Sequence, residues 1–251
     1  MAHKKLSLIS TLHYWKLVFR SFLFLAATYI YVADCIKGIP NPLFHLDFPP
    51  VLLVAIWWIF IVEMVFRFFP SKLESMGCQK QFKKNYIPTG NEFRHIPNPK
   101  APKHPILIVL ASWIALNGVI FGLHFMGIID EGILILIALA YSVCDMICIL
   151  FFCPFQEWMM KNKCCGSCRI YNWDFAMMFT PLIFVKNKYT WSLLGIAVLL
   201  LITWEAALWL HPERFYENTN QSLSCKNCQE KLCHHKKSLH RFLKEIHLKA
   251  D

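Results

Sequence analysis

Residues 170–185 read IYNWDFAMMFTPLIFV, and whether this stretch crosses a membrane decides the architecture of the whole chain. It is apolar overall, yet it is only 16 residues long and carries Asn172, Asp174, Thr180 and Pro181. A regular span needs about 20 residues to cover ~30 Å of hydrocarbon at ~1.5 Å per residue. The flanks are less ambiguous. Residues 105–126, 133–153 and 191–210 are nearly unbroken apolar runs of that length, and 51–69 approaches it. Residues 22–33 follow Lys4, Lys5, Lys16 and Arg20, and no small-x-small cleavage site precedes Asp34 and Cys35. That stretch therefore reads as an uncleaved first helix. With 56% hydrophobic and 17% charged residues in 251, the composition excludes an ordinary soluble domain, in which about a quarter of residues are charged.

Charge settles how 170–185 is counted. Loops alternate sides, and Lys and Arg accumulate on the inside. If 170–185 crosses, six spans place 22 Lys/Arg inside against three outside, namely Lys37, Lys186 and Lys188. If it does not, the basic tail moves outside and the contrast falls to 16 against 9. The expectation is an all-α polytopic membrane helix bundle of six spans, one short or broken, over residues 1–210. A cysteine- and histidine-rich basic cytoplasmic tail follows over 211–251. The formal charge of +10 is then a consequence of topology in a multi-pass cell-membrane protein with both termini cytoplasmic, and nucleic acid is not an expected partner. Four prolines in 71–104 mark a connecting loop. In the tail, Leu239, Phe242, Leu243 and Ile246 recur at helical spacing among lysines, as in a helix lying on an anionic bilayer surface. There is no internal repeat, phosphate loop, dinucleotide fingerprint or nucleophile motif.

Eleven cysteines carry the chemistry. Cys35 and Cys78 stand alone; the others fall into a group at Cys144, Cys148, Cys153, Cys164, Cys165 and Cys168 and a tail group at Cys225, Cys228 and Cys233. Both groups end on the reducing inner side, where metal binding is a better use of thiols than disulfides. Cys165-Gly-Ser-Cys168 and Cys225-Lys-Asn-Cys228 are Cys-x2-Cys turns, each able to aim two thiolates at one ion. The candidate ligands are Cys153, Cys164, Cys165, Cys168, Cys225, Cys228 and Cys233. Seven thiolates exceed one zinc site and are one short of two four-ligand iron–sulfur clusters, with Cys78 or a non-cysteine ligand to complete them. Cys144 and Cys148, one helical turn apart inside a span, read as small packing residues. The alternative cofactor is a structural zinc, for which Cys225, Cys228, Cys233 and His240 would suffice.

Around Cys153-Pro154-Phe155-Gln156 and the cysteine-rich loop, about 25 residues resemble membrane-bound ferredoxin-type proteins whose spans end in a Cys-x3-Cys-Pro motif. Here the spacing is Cys148-x4-Cys153-Pro154. The resemblance implies an iron–sulfur centre and electron exchange with a quinone or a redox partner protein.

Acidic residues inside spans are expensive and so point to function. Glu63, Asp145 and Glu205 fall at similar depths in three spans running outside to inside. An i, i+4 pair with Arg67 would neutralise Glu63. Asp145 has no cation near it in sequence and is the first candidate for proton exchange, with Glu205, close enough to the interface to snorkel, as the second. Asp34 is expected to be solvated at an outer helix end. His124 and Asn117 read as packing groups, and the adjacent Met177 and Met178 do not share a helix face. The functional expectation is a membrane electron-transfer protein with an inner-face iron–sulfur site. The alternative is a non-redox transporter, sensor or assembly factor stabilised by zinc.

Overall fold

The computed structural model describes residues 8–39, 43, 50–70, 79–90, 104–160 and 168–224, with side chains further undescribed at 8, 9, 50–53 and 104. The main helices are α1 (Leu8–Ile36), α2 (Pro50–Phe66), α3 (His104–Phe125), α4 (Glu131–Leu150), a short α5 (Asp174–Phe179) and α6 (Lys188–Leu210). Among the described residues, four stretches, Ser10–Ile36, Pro105–Phe125, Glu131–Leu150 and Lys188–Leu210, are long and apolar enough to cross a bilayer. The chain is thus helical and compatible with a multi-pass membrane protein.

Helix α1 turns its apolar residues outward. Trp15, Val18, Phe22, Leu25, Tyr29 and Val32 form an exposed stripe at alternating three- and four-residue spacing, while Ser10, His13, Arg20 and Asp34 are buried. A soluble helix would place these two faces the other way round. The helix also begins well before residue 22. Lys16 and Arg20 therefore lie inside it, not in a flanking basic segment. Asp34 differs from expectation as well: it is buried, and its carboxylate accepts the Leu43 N–H at 3.1 Å.

Local chemistry sets the α3–α4 hairpin. Gly127 takes the left-handed conformation (φ 74°), and the Ile128 N–H returns to the Leu123 carbonyl at 3.0 Å, closing the end of α3. Asp130 then caps α4, its Oδ1 accepting the Ile133 N–H at 2.8 Å, while Oδ2 accepts the Tyr31 hydroxyl at 2.9 Å. With Tyr14 against Phe151 at the other end, α1 lies antiparallel along α4. His124 stacks on Phe184, and its Nδ1 lies 2.8 Å from the Ile129 carbonyl. Asn117 is buried and donates to the Trp113 carbonyl at 3.0 Å.

Residues 169–184 form no continuous α-helix. A 3-10 turn over Arg169–Trp173, α5, and a second 3-10 turn over Thr180–Phe184 follow one another. Asp174 accepts the N–H of its own neighbour Phe175 at 2.7 Å, and Pro181 lacks an N–H to continue the ladder, which explains both breaks. This irregular segment is also the centre of the core: Phe175, Met178, Phe179, Leu182 and Val185 pack among α2, α4 and α6. Irregular backbone at membrane depth is tolerated where protein covers it.

After α6 the chain folds back onto residues 79–90. Asn220, fully buried, donates to the carbonyls of Lys80 (2.9 Å) and Arg214 (2.8 Å). The Gln221 N–H donates to the Ile87 carbonyl at 2.8 Å and the Thr89 N–H to the Thr219 carbonyl at 3.2 Å. The predicted connecting loop thus contains a docked segment that receives the beginning of the tail. The amphipathic stretch around 239–246 lies outside the described residues.

Candidate functional site

Three arginines, Arg20, Arg67 and Arg169, hold the helices through ion pairs with four carboxylates, and each corrects an expectation. Glu63 does not pair with Arg67. Its Oε2 instead accepts Arg20 Nη2 at 2.8 Å, with Lys16 Nζ 3.7 Å from Oε1. Asp145 has a cation after all: Arg20 Nη1 lies 3.0 Å from its Oδ2 and also donates to the Ser142 carbonyl at 3.1 Å. One guanidinium, 2% exposed, therefore ties α1 to α2 and α4. Arg67 follows the last residue of α2 in a tight turn (Arg67 N–H to Met64 carbonyl, 3.0 Å), which swings its side chain out of helical register with Glu63. It grips Asp174 through both nitrogens at 2.7 and 2.6 Å, and lies over the rings of Tyr171 and Phe175. Glu205 does not snorkel. Arg169 binds it bidentately, and the Trp173 indole N–H donates to its Oε1 at 2.7 Å.

Beside the second half of α4, between α3 and the irregular segment, lies a cavity of about 120 Å³. For scale, an apolar cavity of ~150 Å³ accommodates benzene. Trp113, Tyr141, Phe155 and Tyr171 supply its aromatic walls. Its sulfur lining is Cys144, Cys148, Cys153, Cys168, Met177 and Met178. Two of the predicted ligands, Cys153 and Cys168, are thus brought to one cavity, joined by Cys148, which spacing assigns to packing. Both adjacent methionines line the cavity despite their unequal facing.

The thiols differ in setting. Cys168 is buried against Val109 and Ile170. Cys153 sits where α4 has ended and Pro154 starts a one-turn π-helix over Phe155–Met159; its Sγ accepts the Gln156 N–H at 3.4 Å. Past the end of α4 at Leu150, Cys153 lines the same cavity as Cys148. Cys144, one turn earlier, is exposed. Among the described residues, no three His, Cys, Asp or Glu side chains converge as a ready ligand set. Cys164, Cys165, Cys225, Cys228, Cys233 and Cys78 lie outside the described residues.

The docked segment 79–90 bridges the start of the irregular segment and the chain after α6. The Asn172 side-chain amide donates to Gln81 Oε1 at 3.1 Å, while Asn220 holds the adjacent Lys80. Phe82 and Phe215 both pack on Trp204 near the end of α6. The chain just after Cys168 and the chain just before Cys225 therefore meet two adjacent residues, Gln81 and Lys80 respectively, at the end of the bundle where α1 starts and α4 and α6 finish. No protein-family model matches the chain, and no curated protein or solved structure resembles it.

Proposed function

We propose that the chain is a six-crossing membrane protein that holds a thiolate metal centre at the face where α1 starts and α6 ends, an iron–sulfur centre exchanging electrons with a lipid-soluble carrier such as a quinone. The observation that carries this reading is the Lys80–Gln81 bridge, which holds Asn172, four residues after Cys168, and Asn220, five residues before Cys225, at one end of the bundle. Cys153 and Cys168, chosen on spacing and on the Cys-Pro pair, share a cavity wall at that end. Cys165 is three residues from Cys168, and three residues of chain reach at most about 11 Å. The basic loops on the same side favour thiolates over thiols.

The sixth crossing rests on where 169–184 begins and ends. Arg169 meets Glu205 near the end of α6, whereas Phe184 packs on Phe121 and Phe125 at the end of α3, on the opposite side of the bundle. At the 1.5–2.0 Å rise per residue of α- and 3-10 helix, sixteen residues cover about 24–32 Å, against ~30 Å of hydrocarbon. Both termini then lie on the basic, cytoplasmic side. Because Asp145 and Glu205 each already satisfy an arginine, we assign them to holding helices together and leave proton exchange out of the proposal.

Anaerobic purification from membranes, with metal analysis and visible absorbance, tests the reading. The expected protein is brown, contains iron and acid-labile sulfide, and bleaches on reduction. A colourless protein with stoichiometric zinc would replace it with the non-redox reading, for which the tail set Cys225, Cys228, Cys233 and His240 has zinc-knuckle spacing. A protein without bound metal would end both.

A further inference from the structure

The breaks in the bundle leave a gap facing α3. Helix α4 stops at Leu150, Pro154 opens a one-turn π-helix, and residues 169–184 pass from 3-10 to α and back to 3-10 geometry. The cavity of about 120 Å³ lies among these elements. Trp113 and Tyr141, with ring centroids 4.8 Å apart, form part of its wall, and Phe155 and Tyr171 add two further rings. Six sulfurs line it beside them, those of Cys144, Cys148, Cys153, Cys168, Met177 and Met178. Charge in the lining is already matched: Asp145 is tied to Arg20 and Asp174 to Arg67, so neither carboxylate calls for a cationic occupant. The cavity also opens sideways. Cys144 lines it and is exposed on the outer face of α4, where Ile147, one turn on, is exposed too; on α3, so are Leu110 and Ile114, to either side of Trp113 in sequence. The mouth is thus set in the apolar flank of two helices long enough to span a bilayer, about 9 Å before the end of α4 at ~1.5 Å per residue.

From this geometry we infer that the cavity is a binding site for a neutral aromatic molecule of one ring, which enters laterally from the bilayer. Size sets a single ring, because an apolar cavity of ~150 Å³ holds benzene and this one, slightly smaller, has an open side. The lining sets an aromatic ring. Rings pack edge-on or offset against other rings, and sulfur gains from a ring at about 5 Å, so four aromatic walls and six sulfurs attract a π-system more than a saturated ring of the same volume. Occupation returns the dispersion contacts that the walls lack when nothing lies between them. The position of the mouth sets the route: a molecule reaching Cys144 passes through hydrocarbon and so must be lipid-soluble. The site itself needs no metal. Its link to electron transfer is separate and rests on the thiolate-centre reading, in which the aromatic head of a quinol seated here would lie against Cys153 and Cys168.

The probe is fluorobenzene, followed by its fluorine NMR line in the full chain in detergent, with empty micelles as the blank. The expected result is saturable broadening beyond the blank. Toluene should displace the probe at about one-tenth of the micelle-phase concentration that methylcyclohexane needs, the difference that one or two sulfur–ring contacts provide. Cys144→Trp, which fills the mouth from an exposed position, should abolish the saturable component, while Cys35→Trp, exposed at the end of α1, should keep it. No saturable binding to the parent, or saturable binding that survives Cys144→Trp, would overturn the site. Equal displacement by the two hydrocarbons would overturn the aromatic class. If Cys144→Trp does not accumulate, photolabelling of the unmutated protein with phenyl azide decides. Label is expected around Trp113 and Tyr141 to Cys148 and is suppressed by excess toluene, whereas label that toluene does not suppress contradicts the site. A metal-free preparation that binds the ring ends the thiolate-centre reading and leaves this one standing; a metal-bearing preparation that does not bind it does the reverse.

Discussion

Replacing Arg20 with methionine is expected to destabilise the detergent-solubilised protein by about 3–5 kcal/mol, the cost of stranding buried charge. Arg20 is the only link that reaches Glu63 and Asp145 together among the described ion pairs, and its removal leaves two carboxylates inside the bundle with Lys16, 3.7 Å from Glu63, as partial relief. The methionine fills most of the volume, so the loss is electrostatic in origin and not a cavity effect. The check is a denaturation curve in mild detergent. The triple variant Arg20→Met, Glu63→Gln, Asp145→Asn should recover most of the loss, because replacing a whole buried network with neutral groups costs far less than breaking it. Lysine at position 20 should give an intermediate result, since one ammonium cannot present the planar fork that binds two carboxylates on different helices. An Arg20→Met protein as stable as the parent would show that the network does not hold α1 in place.

The second large effect is at Asp174. Asp174→Leu leaves the Arg67 guanidinium buried without its carboxylate, for an expected loss of about 3–5 kcal/mol. The rings of Tyr171 and Phe175, 5.1 and 4.6 Å from the guanidinium carbon, recover part of this through cation–π attraction. The consequence is local as well as global. Asp174 holds the start of the irregular segment onto the end of α2, and that start carries Cys168, so bound metal should be lost along with stability. In the double variant Arg67→Met, Asp174→Leu, stability returns toward the parent value. If the single and double variants are equally unstable, then packing of the segment, and not the ion pair, is what fixes it.

Much of this was legible in the chain and some of it could not be. The apolar runs located α3, α4 and α6, and Asn172, Asp174 and Pro181 marked 170–185 as irregular, because composition and backbone-breaking residues act locally. The charges were misread because their partners are not local. Arg20 looks like a basic flank in linear order, and only the packing of α1 on α4 shows it to be 125 residues from its Asp145 partner. Glu63 and Arg67 have the right separation for a helical pair, but the helix ends between them, and a tight turn points Arg67 toward Asp174 instead. Cys148 was hidden for a similar reason. A helix carried on past Leu150 would keep Cys153 off the face of Cys148, whereas the end of α4 at Leu150 leaves both in the lining of one cavity.

The central claim is that loop and tail cysteines share one inorganic centre at one membrane face. The most direct measurement is metal content per chain in Cys168→Ser and Cys228→Ser, read beside X-ray absorption at the metal edge of the parent. Sulfur neighbours at about 2.3 Å in the parent, and loss of the same metal in both single variants, are the predicted result. Metal retained in full by either variant, or a first shell without sulfur, would contradict it.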